Sequence, residues 1–216
     1  MVSGTLSPGV LGVVLAGGGA RRFGSDKACA MLGGVSLIDR VCRRAAPQVD
    51  RLVINRGEKL PVALASPYEI LNDEYPGEGP LAGILAGLSY AGRSGYSHIA
   101  TFSCDTPFFP RDVVTRQWHA LAARGAAVCV ARQGARRHHA FALLKTECAP
   151  ALTAAFDAGL RDLRGIARIV DTVEASFPQN AEGPHGDAFF NINTLDDLAL
   201  AGSWMAQVQP RLKTGS

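Results

Sequence analysis

The stretch 10–20 is apolar and uncharged, begins with branched residues and ends in a run of three glycines, Gly17 to Gly19. A branched run leading straight into glycines predicts a buried β-strand whose far end opens into a loop where backbone closely approaches another group. Branched apolar runs recur at 52–55, 99–104 and 126–131, and with 10–16 they read as strands. Between them, 36–46, 81–91 and 112–123 are rich in helix formers. Pro80 opens the second of these and Pro110 lies just upstream of the third, where proline suits a first helical turn. Strand and helix in alternation predict an α/β fold with a mostly parallel sheet and helices on both faces. In such a sheet ligands bind just past the carboxyl ends of the strands. Further along, 136–144 reads as another strand, 147–157 as a helix and 176–187 as a polar stretch. The run 187–193 then leads into a last helix, boxed at its start by Thr194 and Asp197. For 216 residues the expected organisation is one domain over 1–212 with a frayed tail at 213–216.

Composition removes several function classes. Apolar residues are 47% and charged residues 19% of the chain, so the bulk can bury a core. Lys plus Arg number 22 against 19 Asp plus Glu, a net of +3, too mild to imply nucleic acid or an anionic membrane as partner. The longest uncharged apolar run is well short of the ~20 residues of a membrane helix, and the first nine residues lack the pattern of a secretory signal. A cytoplasmic location is therefore expected. Five cysteines without a C-x-x-C pair read as reduced thiols, with neither a disulfide frame nor a zinc site.

The loop VVLAGGGARRFGSDKA carries the first chemistry. Consecutive glycine amides can converge on an anion and cradle phosphates. A Walker A loop would need Lys directly after Gly24, where Ser25 stands, and a dinucleotide G-x-G-x-x-G fails at Arg22. What remains is a glycine turn with Arg21, Arg22 and Lys27, a cation density that suits a nucleoside triphosphate. The competing reading is a tight turn with solvated arginines. Asp105, at the end of the 99–104 strand, places a carboxylate on the ligand side, and Mg2+ is commonly held by one or two carboxylates plus substrate phosphates. Its alternative role is a cap for the helix after Pro110. Asn55 ends the second strand with an amide suited to a base or ribose edge, or to a turn before Gly57. Cys104 has no local base and reads as a buried thiol.

The segment LAGGGARRFGSDK resembles the signature LAGG-x-S-x-R-M-G-x-D-K of the molybdenum cofactor guanylyltransferases, with Ala20 in place of Ser and Phe23 in place of Met. The likeness continues through Asn55, NDEYPGEGPLAGILAGL at 72–88, CDTPFFP at 104–110, RRHHAFAL at 136–143 and FFNINTLDDL at 189–198. It implies a Rossmann-like fold of the nucleotide-diphospho-sugar transferase type. It also implies an Mg2+-dependent enzyme that transfers GMP from GTP to molybdenum-bearing molybdopterin. Leu15, Ala16, Gly17, Lys27, Asn55, Asp73 and Asp105 are then the expected nucleotide-binding residues, Lys27, Arg22 and Asp105 the catalytic ones and Asp105 the metal ligand. Asp73 also reads as a solvated turn residue. Asn191 and Asn193, on one face of an expected strand, are placed near the metal and second substrate, against the alternative of hairpin or capping duty for each. His138 is placed on the pterin side, against the alternative of a solvated strand end. Expected partners are GTP and molybdopterin, with transient contact to other cofactor-biosynthesis proteins or molybdoenzymes. A cytidylyltransferase of the same cofactor, a sugar-phosphate nucleotidyltransferase and a non-catalytic nucleotide-binding module are the alternatives.

Overall fold

The computed structural model describes residues 9–16, 27–56, 67–72, 75, 77–179 and 183–213. In chain order the strands are β1 (Val10–Leu15), β2 (Met31–Leu32), β3 (Val35–Ser36), β4 (Arg51–Arg56), β5 (Glu69–Asn72), β6 (His98–Ser103), β7 (Val128–Gln133), β8 (Arg136–Lys145) and β9 (Thr172–Phe177). The α-helices are α1 (Leu37–Ala45), α2 (Pro80–Arg93), α3 (Val113–Arg124), α4 (Ala149–Asp157) and α5 (Leu195–Lys213). Seven strands form one sheet in the order β5-β4-β1-β6-β8-β7-β9, and β2 and β3 make a separate hairpin. β5, β4, β1 and β6 run parallel, as do β7 and β9. β8 alone is antiparallel to both its neighbours. The expected α/β class holds, and the 136–144 strand is this antiparallel insertion.

Alternation along β1 sets the two-layer packing. Leu11, Val13 and Leu15 face a core built with α2 and α4, while Val10 and Val14 face one built with α1 and α3. A strand with both faces covered must be apolar throughout, which is why it shows as a continuous run in the sequence. α1 starts where the side chain of Ser36 accepts the amide of Asp39, an N-cap that leaves Leu37, Ile38 and Val41 to enter the core. α2 carries Gly83 and Gly87 one turn apart against β1 and β4. A methyl at Gly87 would meet Val13 at 2.9 Å, and one at Gly83 would meet the Asn55 Oδ1 at 2.3 Å. Each helical glycine costs about 1 kcal/mol relative to alanine, and here the cost is offset by the close approach of helix to sheet.

Several expectations change. β5 and the β2–β3 hairpin are additional elements. The polar stretch at 176–187 begins inside β9, and the run holding Asn191 and Asn193 is irregular chain, not a strand. α5 includes Lys213, expected to lie in the tail. The box at its start forms as expected, with Asp197 N donating to Thr194 Oγ1 at 3.1 Å and Thr194 N to Asp197 Oδ2 at 2.9 Å. Among the described residues, no helix is long and apolar enough to cross a membrane.

Candidate active site

Strand order reverses at β1: the chain steps outward to β4 and β5, then returns to β6 on the other side. At such a switch point the loops leaving neighbouring strands diverge and open a crevice at their carboxyl ends. Here Leu15 pairs with Asn55 of β4 and with Ser103 of β6. Beyond the ladder, Ala16 N donates to Asn55 O at 3.0 Å and Cys104 N to Leu15 O at 3.3 Å. Leu15, Ala16, Asn55 and Asp105 therefore gather at one mouth. Lys27 opens a short 3-10 helix, Lys27–Cys29. Gly17, Arg21, Arg22 and Asp73 lie outside the described residues.

Asn55 is buried, and its Nδ2 donates to Leu71 O at 3.4 Å while its Oδ1 lies against Gly83. The side chain expected at a base edge thus also ties β4 to β5 and α2. Asp105 lies two residues past the end of β6, in a turn, and the helix-capping alternative fails because the N-cap of α3 is Asp112. Its Oδ1 accepts hydrogen bonds from Ser103 Oγ at 2.6 Å and Thr106 Oγ1 at 3.1 Å. Two donors on one oxygen fix the rotamer of the carboxylate. Sequence reasoning missed Ser103 and Thr106; the available signal was a hydroxyl breaking the apolar pattern two residues before a strand-end Asp.

The chain returns to this site from far away. Ile192 N donates to Asp105 O at 2.9 Å, setting Asn191 and Asn193 on either side of that contact. Ile192 is fully buried with Leu32, Leu37 and Phe108, under a helix, α5, that packs Leu198, Trp204 and Met205 on the same cluster. Upstream, Phe189 is held by Phe141 at 5.1 Å and Phe177 at 5.5 Å between ring centroids. Apolar anchors at 189 and 192 thus fix the asparagine segment, while the backbone bond sets its height at Asp105.

His138 is not a solvated strand end. A register shift between Val130 and Ala131 brings it opposite Ala131, and its ring stacks on Phe189 at 4.3 Å and 20°. Its Nε2 is buried without a hydrogen-bond partner. Burial, with a smaller push from Arg136, lowers its pKa to about 4. The ring is neutral in the fold while the unfolded chain still takes up a proton near pH 6.5. The unfolded state therefore binds more protons between pH 6.5 and 4, and stability falls as pH falls through that window. The loss is about 1–2 kcal/mol once the ring's partial solvent screening is allowed for. His138→Phe should keep the stack and flatten this part of a pH series of urea unfolding curves; an acid slope equal to the parent's would refute the assignment.

Three of the five thiols are held protonated by burial. Burial pushes Cys42 and Cys129 up to about 12 and Cys148 to about 11. Cys104, expected to be buried, is half-buried and packs on the α1–α3 core.

A mostly parallel sheet reversing at β1, with an oriented Asp after β6 and a glycine-rich sequence following β1, fits the α/β class of nucleotidyltransferases. The sequence profile of the MobA-like NTP transferase domain matches residues 12–174. A molybdenum cofactor guanylyltransferase of Rhizobium leguminosarum bv. trifolii is 40% identical over 200 residues, covering 91% of this chain and 93% of that one. One from Cereibacter sphaeroides is 38% identical over 195 residues, covering 90% and 96%. Among solved structures, molybdopterin-guanine dinucleotide biosynthesis protein A from Archaeoglobus fulgidus superposes with a TM-score of 0.72 at 25% identity, covering 92% and 99%. The chain belongs to the molybdenum cofactor guanylyltransferase family, and it is a transferase of nucleotidyl groups.

Proposed function

We propose that the protein transfers GMP from GTP to molybdenum-bearing molybdopterin, giving the molybdopterin guanine dinucleotide cofactor and pyrophosphate. The observation that carries this reading is the bond from Ile192 N to the backbone O of Asp105, which ties the asparagine segment to the main chain of the strand-end aspartate beside the switch-point crevice. A terminal phosphate oxygen of the pterin attacks the α-phosphorus of GTP. A P–O bond forms there, and the bond to the β-phosphate oxygen breaks as pyrophosphate leaves. The attacking phosphate is already ionised at neutral pH, so positioning and charge neutralisation are the main demands.

Lys27, Arg22 and the loop amides around Gly17 would hold the triphosphate and offset charge on the departing pyrophosphate. The backbone of Leu15 and Ala16, with Asn55 and Asp73, would seat the nucleoside. An oriented carboxylate is a hard-oxygen ligand that fits Mg2+, which takes few protein ligands and completes its octahedron with water and phosphate. Asp105 would hold that ion, which would supply Lewis-acid neutralisation of the phosphates. Molybdenum enters as part of the substrate.

Base choice tests the reading. Guanine offers O6 as acceptor and N1 and N2 as donors, an order that cytosine does not reproduce. Buried polar groups built for one base are left unpaired by the other, at roughly 1–3 kcal/mol each. GTP should therefore exceed CTP by at least about tenfold in specificity constant. Competition between the two triphosphates with molybdopterin reads this out, and equal use or preference for CTP overturns the guanylyl assignment.

A further inference from the structure

Beyond β6, on the β8–β7–β9 side of the sheet, a groove of about 430 Å3 is lined by Arg132, Arg136, Arg137, His139, Arg164 and Glu174, with Ala135 at the hairpin tip. None of these residues belongs to the crevice around β1. Four guanidinia against one carboxylate leave three positive charges, the same excess that the whole chain carries; the remainder of the protein is formally neutral. The charge imbalance that looked mild along the sequence is concentrated in one concavity.

The arginines divide into two pairs. Arg132 and Arg137 each place Nε on Glu174, at 2.8 and 2.5 Å. Arg132 is steadied further by Gly134 O and by Ser176 Oγ. Glu174 thus spends its charge aligning two guanidinia. Arg136 and Arg164, exposed like Arg137, reach the groove from the start of β8 and from the 3-10 helix Leu163–Arg168. His139, half-buried between them, is held below its ordinary pKa by burial, Arg137 and Arg164, opposed by Asp162 and Glu174.

We propose that this groove binds a ligand carrying a phosphate monoester or diphosphate group, at a site separate from the nucleotide crevice. Guanidinium forks match phosphate oxygens two at a time, and several forks converging on one space suit a compact dianion or larger. The alternatives fit less well. A protein-docking surface needs an apolar or aromatic centre, and Ala135 is the only apolar lining residue. An extended acidic peptide would meet charges in a row along a strand; these come from three strands and a short helix and close around one volume. Single-stranded nucleic acid would want stacking aromatics, absent from the lining.

The test uses the full chain and inorganic pyrophosphate as probe, with the His139 imidazole followed by NMR. Pyrophosphate should raise the His139 pKa, since an added dianion favours the imidazolium. Arg136→Ala/Arg164→Ala should weaken the response by at least about tenfold, the loss of two charged forks. Because both side chains are exposed, the double variant should keep the parent's thermal unfolding and its stabilisation by GTP. Lys27→Ala should keep the full pyrophosphate response at His139. An unmoved His139, a full response in the double variant, a response lost in Lys27→Ala, or displacement of pyrophosphate by a polyglutamate peptide would each overturn the proposal. If GTP stabilises neither the parent nor the double variant, the guanylyl reading fails while the His139 titration still decides the groove.

Discussion

Lys27→Ala is expected to lower turnover by about 100-fold or more while leaving the fold intact, the size of effect seen when one preorganised charge-stabilising donor is lost. The residue closes the glycine and arginine loop and begins the short 3-10 helix Lys27–Cys29, next to Ala28, which is buried in the α1–α3 core. A buried neighbour at Ala28 places the backbone of Lys27, and the substitution removes the side-chain charge. Turnover at saturating GTP is the decisive measurement. A lysine that merely contributed to ground-state affinity would raise KM and leave kcat unchanged; a lysine that meets charge on departing pyrophosphate would lower kcat. An unchanged kcat sinks the catalytic assignment.

The parts of this fold legible in the sequence are those where local pattern and burial agree. β1, β4, β6 and β7 are covered on both faces, so each is a branched apolar run. The starts of α1 and α5 show as Ser36 and as the Thr194–Asp197 box because capping is a local interaction. The elements that escaped have no such local signature. β5 is an edge strand, Glu-Ile-Leu-Asn, with three of its four residues exposed, and β2 and β3 are two residues each. Asn191 and Asn193 alternate like a strand, yet Ile192 between them gives its amide to Asp105 and its side chain to a separate apolar cluster. A contact over such separation leaves no periodicity.

The site divides in the same way. The place of Asp105 just past a buried strand was legible because a carboxylate ending an apolar run marks where the strand stops. Its two hydroxyl partners were harder to read: Ser103 left only a hydroxyl breaking the apolar pattern, Thr106 left no signal, and the turn brings both onto one oxygen. His138 looked like part of a solvated basic stretch, and the register shift in the β7–β8 pair placed it under Phe189. The same stretch showed three arginines, but Arg164 reaches them from a helix that the sequence did not announce.

Asp105→Asn should cost about 100- to 1000-fold in turnover and shift the Mg2+ requirement to higher concentration, because the amide keeps the shape and loses the charge that attracts a hard cation. Its surroundings make this a sharp substitution. Ser103 and Thr106 both donate to Oδ1, so an asparagine can keep its own Oδ1 in that place and direct the new NH2 group to the other position. Such an arrangement retains both hydrogen bonds, and the backbone carbonyl that receives Ile192 N is untouched. Thermal unfolding of the variant, measured beside turnover, separates lost activity from lost fold. Asp105→Ala supplies the contrast, since it strands both hydroxyls and should be less stable as well as inactive. Titration of activity with Mg2+ in the asparagine variant separates the outcomes. A raised metal requirement with a low ceiling identifies the carboxylate as the ion's ligand. A parental titration curve at parental rate would make Asp105 a structural turn residue.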